Sequence, residues 1–334
     1  MDFQYSREVE SGGYETHDLD GDIPLRIHKD QVLEFDGALH AQKDWTSHIC
    51  DVTGYKGGLG DPYSFIAVCV PECLPDRLEL ISYANEFAFL YDDKMESFDL
   101  KKDLKEETTQ MLDAFGDNAH DRRASDNTTP EKRLQAQMLS EMMAIDPSRA
   151  VTSMKAWAKF VQLASQTRSS PFETLEEYVP ARVIDAGELI WFGTLTFGMA
   201  LTIPDHEYDT CMEMARDGVQ LANIIQCPSY AALGLTNDLF SWEKERHDAK
   251  VAGLDYVFNV IWVLMKEKGV READAKKLCR SEIKSYVSSF KKTVADAKND
   301  ETLSKDLKVY LEAVLYSIVG NLVWSIHCPR YKGF

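Results

Sequence analysis

The stretch that decides the fold is DRLELISYANEFAFLYDDKMESF, residues 76–98, which directly follows Pro75. It contains no glycine and no proline, and its apolar residues recur at the three- and four-residue spacing of one helix face. That face is marked by Leu78, Ile81, Ala84 and Ala88. The stretch therefore predicts a long helix that buries one side and ends in a run of acidic residues.

The helical pattern continues along most of the chain, whereas strand patterns are almost absent. Residues 1–75 predict an N-terminal strap with one or two short helices, and the polar residues 114–132 predict an exposed loop. We expect further helices over residues 130–144, 147–166, 175–199 with a break at Gly187, 205–225, 231–248, 254–268, 273–297 and 303–328. This pattern indicates an all-α protein, built as a single helical bundle.

The acidic composition limits the ligands that the protein can bind. The formal net charge is −18. Nucleic acids and anionic membranes require a basic surface, so we expect neither as a partner. An anionic substrate would need cations at its site, which favours a metal ion.

Cysteine usage and the N-terminus favour a cytoplasmic location. The seven cysteines are scattered, and no Cys-His cluster accompanies the one close pair, Cys69 and Cys73. This is typical of reduced, buried thiols. The N-terminal residues are polar and acidic, unlike a signal peptide, and no apolar run approaches the length of a membrane span, so we expect no membrane anchor.

The acidic run DDKME, residues 92–96, ends the first predicted helix. Asp92 and Glu96 share a helix face, where like charges repel unless a cation lies between them. Mg²⁺ prefers such carboxylate oxygens together with substrate phosphates. Taken alone, a solvated acidic face is the commoner explanation of this pattern. The apolar segment ANEFAFLY that precedes it favours the rim of a cavity.

A second oxygen-rich stripe lies in NDLFSWEKE, residues 237–245. Asn237, Ser241 and Glu245 follow one another at four-residue intervals, so an amide, a hydroxyl and a carboxylate lie on one helix face. This set suits Mg²⁺ and leaves room for an incoming diphosphate. An ordinary polar stripe is an equally good explanation of this pattern alone.

Four residues could donate hydrogen bonds to diphosphate oxygens: Arg182, Lys244, Arg330 and Tyr331. Arginine offers a planar fork that matches phosphate, and tyrosine adds a hydroxyl donor. Each of them taken singly is more often a surface or salt-bridged residue.

Together these motifs resemble the class I terpene synthases. That family is marked by a DDxx(D/E) motif, an Arg-x-x-Asp segment, an NDxxSxxxE motif and a C-terminal Arg-Tyr pair, and the chain has them in this order. The segments QKDWTSHI, VPECLPDRLELISYANEFAFLYDD, AIDPSRA and GNLVWSIHCPRY are similar to the N-terminal cyclase domain of fungal chimeric synthases of the fusicoccadiene synthase type. The resemblance implies that residues 1–334 form one cyclase domain around an active-site cavity, and that the C-terminal prenyltransferase domain of those proteins is absent from this chain.

The resemblance also implies the roles of the site residues. Mg²⁺ is bound by Asp92, with Asp93 and Glu96 in support, and by Asn237, Ser241 and Glu245, with three ions expected once diphosphate is present. Diphosphate contacts are implied for Arg182, Asn237, Lys244, Arg330 and Tyr331. Asp185 is implied to link Arg182 to a backbone break near Ala186 and Gly187. The residues implied to trigger ionisation are Asp92, Arg182 and Asp185.

Three aromatic residues are implied to line the pocket: Phe65, Phe89 and Trp324. Their rings can stabilise a passing carbocation. For aromatic residues in general, packing in the core is the more common role.

The activity implied is Mg²⁺-dependent ionisation of geranylgeranyl diphosphate, followed by cyclisation to a polycyclic diterpene. A C25 substrate stays open as an alternative to C20. A prenyl diphosphate synthase is less favoured, because that class carries two aspartate-rich motifs and this chain has one. A non-catalytic helical scaffold, derived from a cyclase, is the third possibility.

One departure from the family's spacing lies between Arg182 and Asn237, which are 55 residues apart, more than the resemblance implies. The excess lies in QLANIIQCPSY, residues 220–230, where Pro228 would break a helix. We therefore expect a loop over residues 221–230, with a helix that restarts near Ala231. If this insert displaces the Asn237 stripe, the second metal site is impaired.

An interior proline disfavours a continuous helix by about 3 kcal/mol, which is why we expect a loop at this position. Deletion of about nine residues from segment 220–230 tests whether that loop is neutral, damaging or integral to the fold. Cyclase activity that is unchanged would identify a neutral loop, and activity that rises sharply would identify a damaging insert. Complete loss of activity or of folding, measured by circular dichroism, would show that the segment is integral and the spacing argument wrong.

Overall fold

The fold is described by a computed structural model over residues 1–97, 129–164, 171–216 and 228–334. Within these ranges the helices are α1 Gln31–His48, α2 Phe65–Cys69, α3 Pro75–Ser97, α4 Pro130–Ile145, α5 Pro147–Ala164, α6 Leu175–Asp185, α7 Glu188–Gly198, α8 Tyr208–Arg216, α9 Pro228–Val251, α10 Val260–Lys268, α11 Glu272–Asn299 and α12 Lys305–His327. Two 3₁₀ turns span Asp205–Glu207 and Pro329–Tyr331. The prediction of an all-α bundle is confirmed.

Helices α3 and α12 organise the packing, since α3 lies along α1 and α12 contacts α2, α9 and α11. Two glycines permit close helix approach. A Cβ atom at Gly37 would lie 2.1 Å from the Glu79 carbonyl oxygen, and one at Gly320 would lie 2.2 Å from that of Val68. Any larger residue at either position would push neighbouring helices apart.

Helix α12 is the one long helix of the described residues that is rich enough in apolar residues to resemble a membrane span. By length and composition it could cross a membrane, but 78% of its most apolar window is buried inside the bundle, as expected of a core helix. The sequence prediction that no apolar run approaches membrane-span length was therefore wrong for this helix. Its last buried turns carry Trp324 and lead directly into the Pro329–Tyr331 turn.

The N-terminal segment differs from its prediction. Two short strands, β1 Ser6–Glu8 and β2 Arg26–His28, pair antiparallel with Arg7 opposite Ile27. Three-residue strands contain too little periodicity to be detected in sequence. Helix α1, at 18 residues, is also longer than the short helices expected.

The predicted break at Gly187 is confirmed. Helix α6 ends at Asp185 and α7 begins at Glu188, while Gly187 has a φ of 85°. A left-handed residue at this point favours glycine because it lacks a Cβ. The break turns the chain directly after Arg182 and Asp185.

Other boundaries shift from those expected. Helix α10 begins at Val260 and not at residue 254, because the Asn259 side chain accepts a hydrogen bond from the Ile261 N–H (2.8 Å) and caps the helix there. Helix α9 begins at Pro228 and not near Ala231, since proline is tolerated in a first turn.

Two predicted segments lie wholly or largely outside the described residues. These are most of the loop at 114–132 and most of the insert at 220–230. The predicted helix over residues 205–225 begins as the 3₁₀ turn and α8, and its last part lies outside as well.

A buried carboxyl group joins α1 to α2. Glu34 is 2% exposed, and its Oε1 accepts a hydrogen bond from the Ile66 N–H (2.7 Å). Its Oε2 has no hydrogen-bond partner in the described part of the chain. Burial raises the pKa of Glu34 from 4.5 to about 8, so the group stays protonated at neutral pH in the folded protein.

We expect Glu34→Gln to remove a pH dependence of stability. The unfolded chain loses the Glu34 proton near pH 4.5 and the folded chain near pH 8. The wild-type protein therefore loses stability as pH rises through this window, by on the order of 5 kcal/mol. Glutamine keeps the acceptor but does not titrate, so in urea unfolding the variant should gain on the wild type from pH 5 to pH 8. Parallel stability curves would contradict the buried, protonated state.

Candidate active site

The α9 stripe lies on one helix face as predicted. Ser241 Oγ donates to Glu245 Oε1 (2.7 Å), and Asn259 Nδ2, which the sequence did not single out, donates to Glu245 Oε2 (3.0 Å). Burial, then the charge of Asp238, raises the pKa of Glu245. A cation beside this half-buried carboxylate would favour its ionised form.

Arg182 lies against this stripe and is 9% exposed. Its Nε donates to Asp238 Oδ1 (2.7 Å), its Nη1 to Asp185 Oδ2 (2.7 Å) and its Nη2 to Asn237 Oδ1 (2.8 Å). Burial disfavours the charged guanidinium, but the Asp238 carboxylate holds the pKa of Arg182 well above its ordinary value. The contact predicted between Arg182 and Asp185 is present.

Asp238 is a further residue of this network that sequence reasoning missed. It is fully buried, and its Oδ2 accepts hydrogen bonds from the Tyr178 hydroxyl (2.5 Å) and the Val260 N–H (2.9 Å). Burial raises the pKa of Asp238, and the charge of Arg182 opposes this. The sequence did contain a sign of this role, since Asp238 is set among the apolar residues Leu235, Leu239 and Trp242. A charge on such a buried helix face requires a partner.

The acidic end of α3 faces the C-terminal turn. Asp93 accepts two hydrogen bonds from Arg330, with both N–O distances 2.6 Å, and one from the Tyr55 hydroxyl (2.8 Å). Burial alone would raise the pKa of Asp93, but the Arg330 fork lowers it below its ordinary value. Asp92 is exposed beside this pair, and the side chain of Glu96 lies outside the described residues.

One contact connects this acidic end to α9, and a second connects the C-terminal turn to α9. Lys244 Nζ lies 3.9 Å from Asp93 Oδ1, and Asn237 Nδ2 donates to the Tyr331 hydroxyl (2.7 Å). The structure therefore brings Asp93, the α9 stripe and the Arg330–Tyr331 turn to one place. The ligand roles of these residues stay predictions.

The three predicted aromatics form one cluster. The Phe65 ring centroid lies 4.8 Å from that of Trp324 and 5.5 Å from that of Phe89. Trp191, which the sequence analysis did not select, joins the cluster 5.5 Å from Phe65. The guanidinium carbon of Arg330 lies 5.2 Å from the Phe89 centroid. An aromatic wall therefore adjoins the cationic and acidic groups.

The α9 oxygens fit a hard divalent cation. No group of three or more His, Cys, Asp or Glu residues placed to hold a metal occurs in the described ranges. The predicted set instead mixes amide, hydroxyl and carboxylate oxygens. Such oxygens are the ligands that Mg²⁺ prefers. The Ser241 and Glu245 oxygens already lie side by side, joined by a hydrogen bond of 2.7 Å that a bound cation would replace.

We expect Asp238→Asn to destabilise the fold by about 3 kcal/mol, because it removes one of the two buried carboxylates that balance the Arg182 charge and leaves only Asp185. Tyr178→Phe, which removes one hydrogen bond and no charge, should cost about 1 kcal/mol. Glu243→Gln on the same helix, whose carboxylate makes surface ion pairs with Arg246 and Lys276, is the control and should change stability by about 1 kcal/mol or less.

Urea unfolding monitored by circular dichroism measures these differences. An Asp238→Asn loss as small as that of Glu243→Gln would contradict a buried ion pair at this site.

Known proteins are similar to this chain in sequence, and others are similar to it in fold. A family profile described as "Terpene synthase family 2, C-terminal metal binding" matches residues 83–289. Fusicoccadiene synthase of Phomopsis amygdali is 44% identical over 99% of this chain and 46% of its own length. Ophiobolin F synthase of Cochliobolus heterostrophus is 36% identical over 99% of this chain and 43% of its own length. Aristolochene synthase from Penicillium roqueforti has a similar fold, with a TM-score of 0.70 at 16% identity, covering 90% of this chain and 96% of that one.

The chain spans about half the length of the curated relatives it matches. The family profile covers more than half of this chain, and the matched part contains the DDxx(D/E) motif, the Arg182 segment and the α9 stripe. These matches agree with the all-α fold and with the two oxygen-rich motifs that meet at the end of α3. The chain belongs to the terpene synthases of family 2.

Proposed function

We propose that this domain ionises geranylgeranyl diphosphate with the help of Mg²⁺ and cyclises the cation to a polycyclic diterpene. The observation that carries the proposal is the position of Arg330. Its guanidinium pairs with Asp93 on one side and lies over the Phe89 ring on the other. A prenyl diphosphate requires such a boundary, because its two ends differ in polarity.

The polar side of this boundary would hold the diphosphate. Asp92, supported by Asp93 and Glu96, and the Asn237, Ser241 and Glu245 stripe would hold Mg²⁺, three ions in all. Bound Mg²⁺ stabilises the negative charge that develops on the leaving diphosphate. Arg182, Lys244, Arg330 and Tyr331 donate hydrogen bonds to the same group. Arg330 must then exchange its bond to Asp93 for one to a phosphate oxygen.

The apolar side would hold the cation. Heterolysis of the allylic C–O bond leaves the electron pair on diphosphate and the positive charge on carbon. The Phe65, Phe89 and Trp324 rings exclude water and present π-faces to that charge. Loss of a proton from the last cation gives the hydrocarbon, which balances the release of diphosphate.

Relatives favour a C20 substrate. The bifunctional type I diterpene synthase of Aspergillus flavipes is 42% identical, whereas the bifunctional sesterterpene synthase of Aspergillus aculeatus is 38% identical. Both are named bifunctional, and the chain spans 42% and 45% of their lengths. We therefore also propose that a prenyltransferase domain accompanies this one in the whole protein. The scattered cysteines support a further proposal, that the protein acts in the cytoplasm.

Chain elongation is the second candidate, and one observation weighs against it. Elongating enzymes carry two aspartate-rich motifs, but opposite α3 this chain presents the mixed oxygen set of α9. A third reading, a scaffold without activity, depends on whether residues 220–230 disturb α9. The α9 stripe makes its contacts with Arg182 and Tyr331 in the described structure, which favours an active site.

We expect Asp92→Ala to reduce hydrocarbon output at least about 100-fold, because a lost metal ligand removes stabilisation of the leaving group. Glu79→Ala, which removes an exposed carboxylate near the start of the same helix, is the matched control and should leave output unchanged. Both proteins are incubated with geranylgeranyl diphosphate and Mg²⁺, and extracts are analysed by gas chromatography. Circular dichroism checks that each variant is folded.

The same assay separates the candidate functions. Longer diphosphates, formed only when isopentenyl diphosphate is added, would indicate elongation and contradict the cyclase proposal. No product from geranylgeranyl diphosphate or its C25 homologue would indicate a scaffold. Hydrocarbon output by a folded Asp92→Ala variant at the wild-type level would show that Asp92 is not a ligand.

A further inference from the structure

The peptide of Gly58 connects three helices beside the aromatic cluster. Its carbonyl oxygen accepts hydrogen bonds from Trp324 Nε1 of α12 (2.9 Å) and from the Phe65 N–H at the start of α2 (2.9 Å). Its own N–H donates to Oε2 of Glu86 on α3 (2.8 Å). Two of the three pocket aromatics are therefore tied to one carbonyl group.

The third aromatic contacts the same residue. A Cβ atom added at Gly58 would lie 3.2 Å from Cε2 of Phe89, and 3.3 Å from both Nδ2 of Asn85 and Oε2 of Glu86. The backbone of Gly58 does not have a positive φ, so alanine is sterically allowed by the chain itself. The constraint on this position is the space required by the Phe89 ring together with the Asn85 and Glu86 side chains.

Glu86 holds the Gly58 peptide in place. This carboxylate is 1% exposed, and its Oε1 accepts a hydrogen bond from Gln42 Nε2 (2.7 Å) while Oε2 takes the Gly58 N–H. Glu86 and Phe89 lie on the same face of α3, three residues apart. The position of Gly58 relative to Phe89 is therefore fixed from both sides.

We propose that Gly58 is a specificity-determining residue, which sets the relative positions of the Phe65, Phe89 and Trp324 rings and thereby the product of cyclisation. This rests on the proposed cyclase function. Gly58 lies beside the apolar side of the site, and its hydrogen bonds in the described structure go to Glu86, Phe65 and Trp324 and not to Arg182, Lys244 or Arg330. Its influence therefore falls on the fate of the cation and not on diphosphate binding.

The physical basis is the sensitivity of a reacting cation to the groups around it. A cation intermediate has several competing ring closures and proton losses, and differences of a few tenths of an ångström in ring position change their relative barriers. An added methyl group at Gly58 requires a shift of that size among its three close neighbours, of which the Phe89 ring is the nearest. Misplacement changes the product ratio without removing any charged group.

The test compares Gly58→Ala with Gly12→Ala, whose added Cβ has nothing within 4 Å. Each is incubated with geranylgeranyl diphosphate and Mg²⁺, and the hydrocarbons are separated by gas chromatography. In Gly58→Ala we expect the share of products other than the main wild-type product to rise at least about twofold, with KM within about twofold of wild type. Gly12→Ala should reproduce the wild-type profile. An unchanged profile in Gly58→Ala overturns the proposal, whatever happens to kcat.

A second variant decides the matter if Gly58→Ala fails to fold. Glu86→Asp shortens the side chain that holds Gly58, and the hydrogen bonds of Glu86 go to Gly58 and Gln42 and not to a pocket aromatic. Glu79→Asp, on the exposed face of α3, is its control. The same rise in side products is expected for Glu86→Asp only. Equal profiles for the two variants overturn the proposal.

The effect of Gly58 on the position of Trp324 can be measured without catalysis. In protein labelled with 5-fluorotryptophan, the Trp324 signal is identified by its loss in Trp324→Phe. It should shift in Gly58→Ala and stay in place in Gly12→Ala, and an unmoved signal contradicts the structural premise. If the wild-type chain forms no hydrocarbon, the proposed function fails, and the specificity role fails with it. If it does and only the profile of Gly58→Ala stays constant, the specificity proposal alone is wrong.

Discussion

The site depends on the buried ion pair between Arg182 and Asp238. A charged guanidinium in the interior of a helical bundle is tolerated only when its hydrogen bonds are met. Asp238 meets this need from α9, while the Tyr178 hydroxyl and the Val260 N–H satisfy its other oxygen. The pair therefore fixes α6, α9 and the start of α10 to one another. It also directs the remaining nitrogens of Arg182 toward Asn237 and Asp185.

A second set of contacts fixes the opposite side of the site. Asp93 and Arg330 are joined by two hydrogen bonds and share the Tyr55 hydroxyl, so the end of α3 is bound to the C-terminal turn. The Gly58 peptide, three residues beyond Tyr55, holds the aromatic cluster. One short loop thus contacts both the charged and the aromatic parts, which places the polarity boundary where a prenyl diphosphate would need it.

Helices and motifs were predictable because their signals are local. The four-residue spacing of Asn237, Ser241 and Glu245 and the apolar face of α3 are visible without knowledge of the fold. The partners of these residues were not. Tyr178 and Tyr55 lie 60 and 38 residues along the chain from the aspartates they bind, and nothing in their local sequence marks them. The β1–β2 pair escaped because its strands are too short, and α10 began late because the Asn259 cap outweighed the apolar pattern.

The most direct test of this account is a crystal structure of the chain with Mn²⁺ in place of Mg²⁺ and inorganic diphosphate, with the ions located by anomalous scattering. The account predicts metal ions beside Asp92 and the Asn237, Ser241 and Glu245 stripe. It predicts diphosphate oxygens on Arg330, whose bonds to Asp93 open, while the bond from Arg182 Nε to Asp238 stays near 2.7 Å. Diphosphate bound elsewhere, or ions bound away from both motifs, would contradict it.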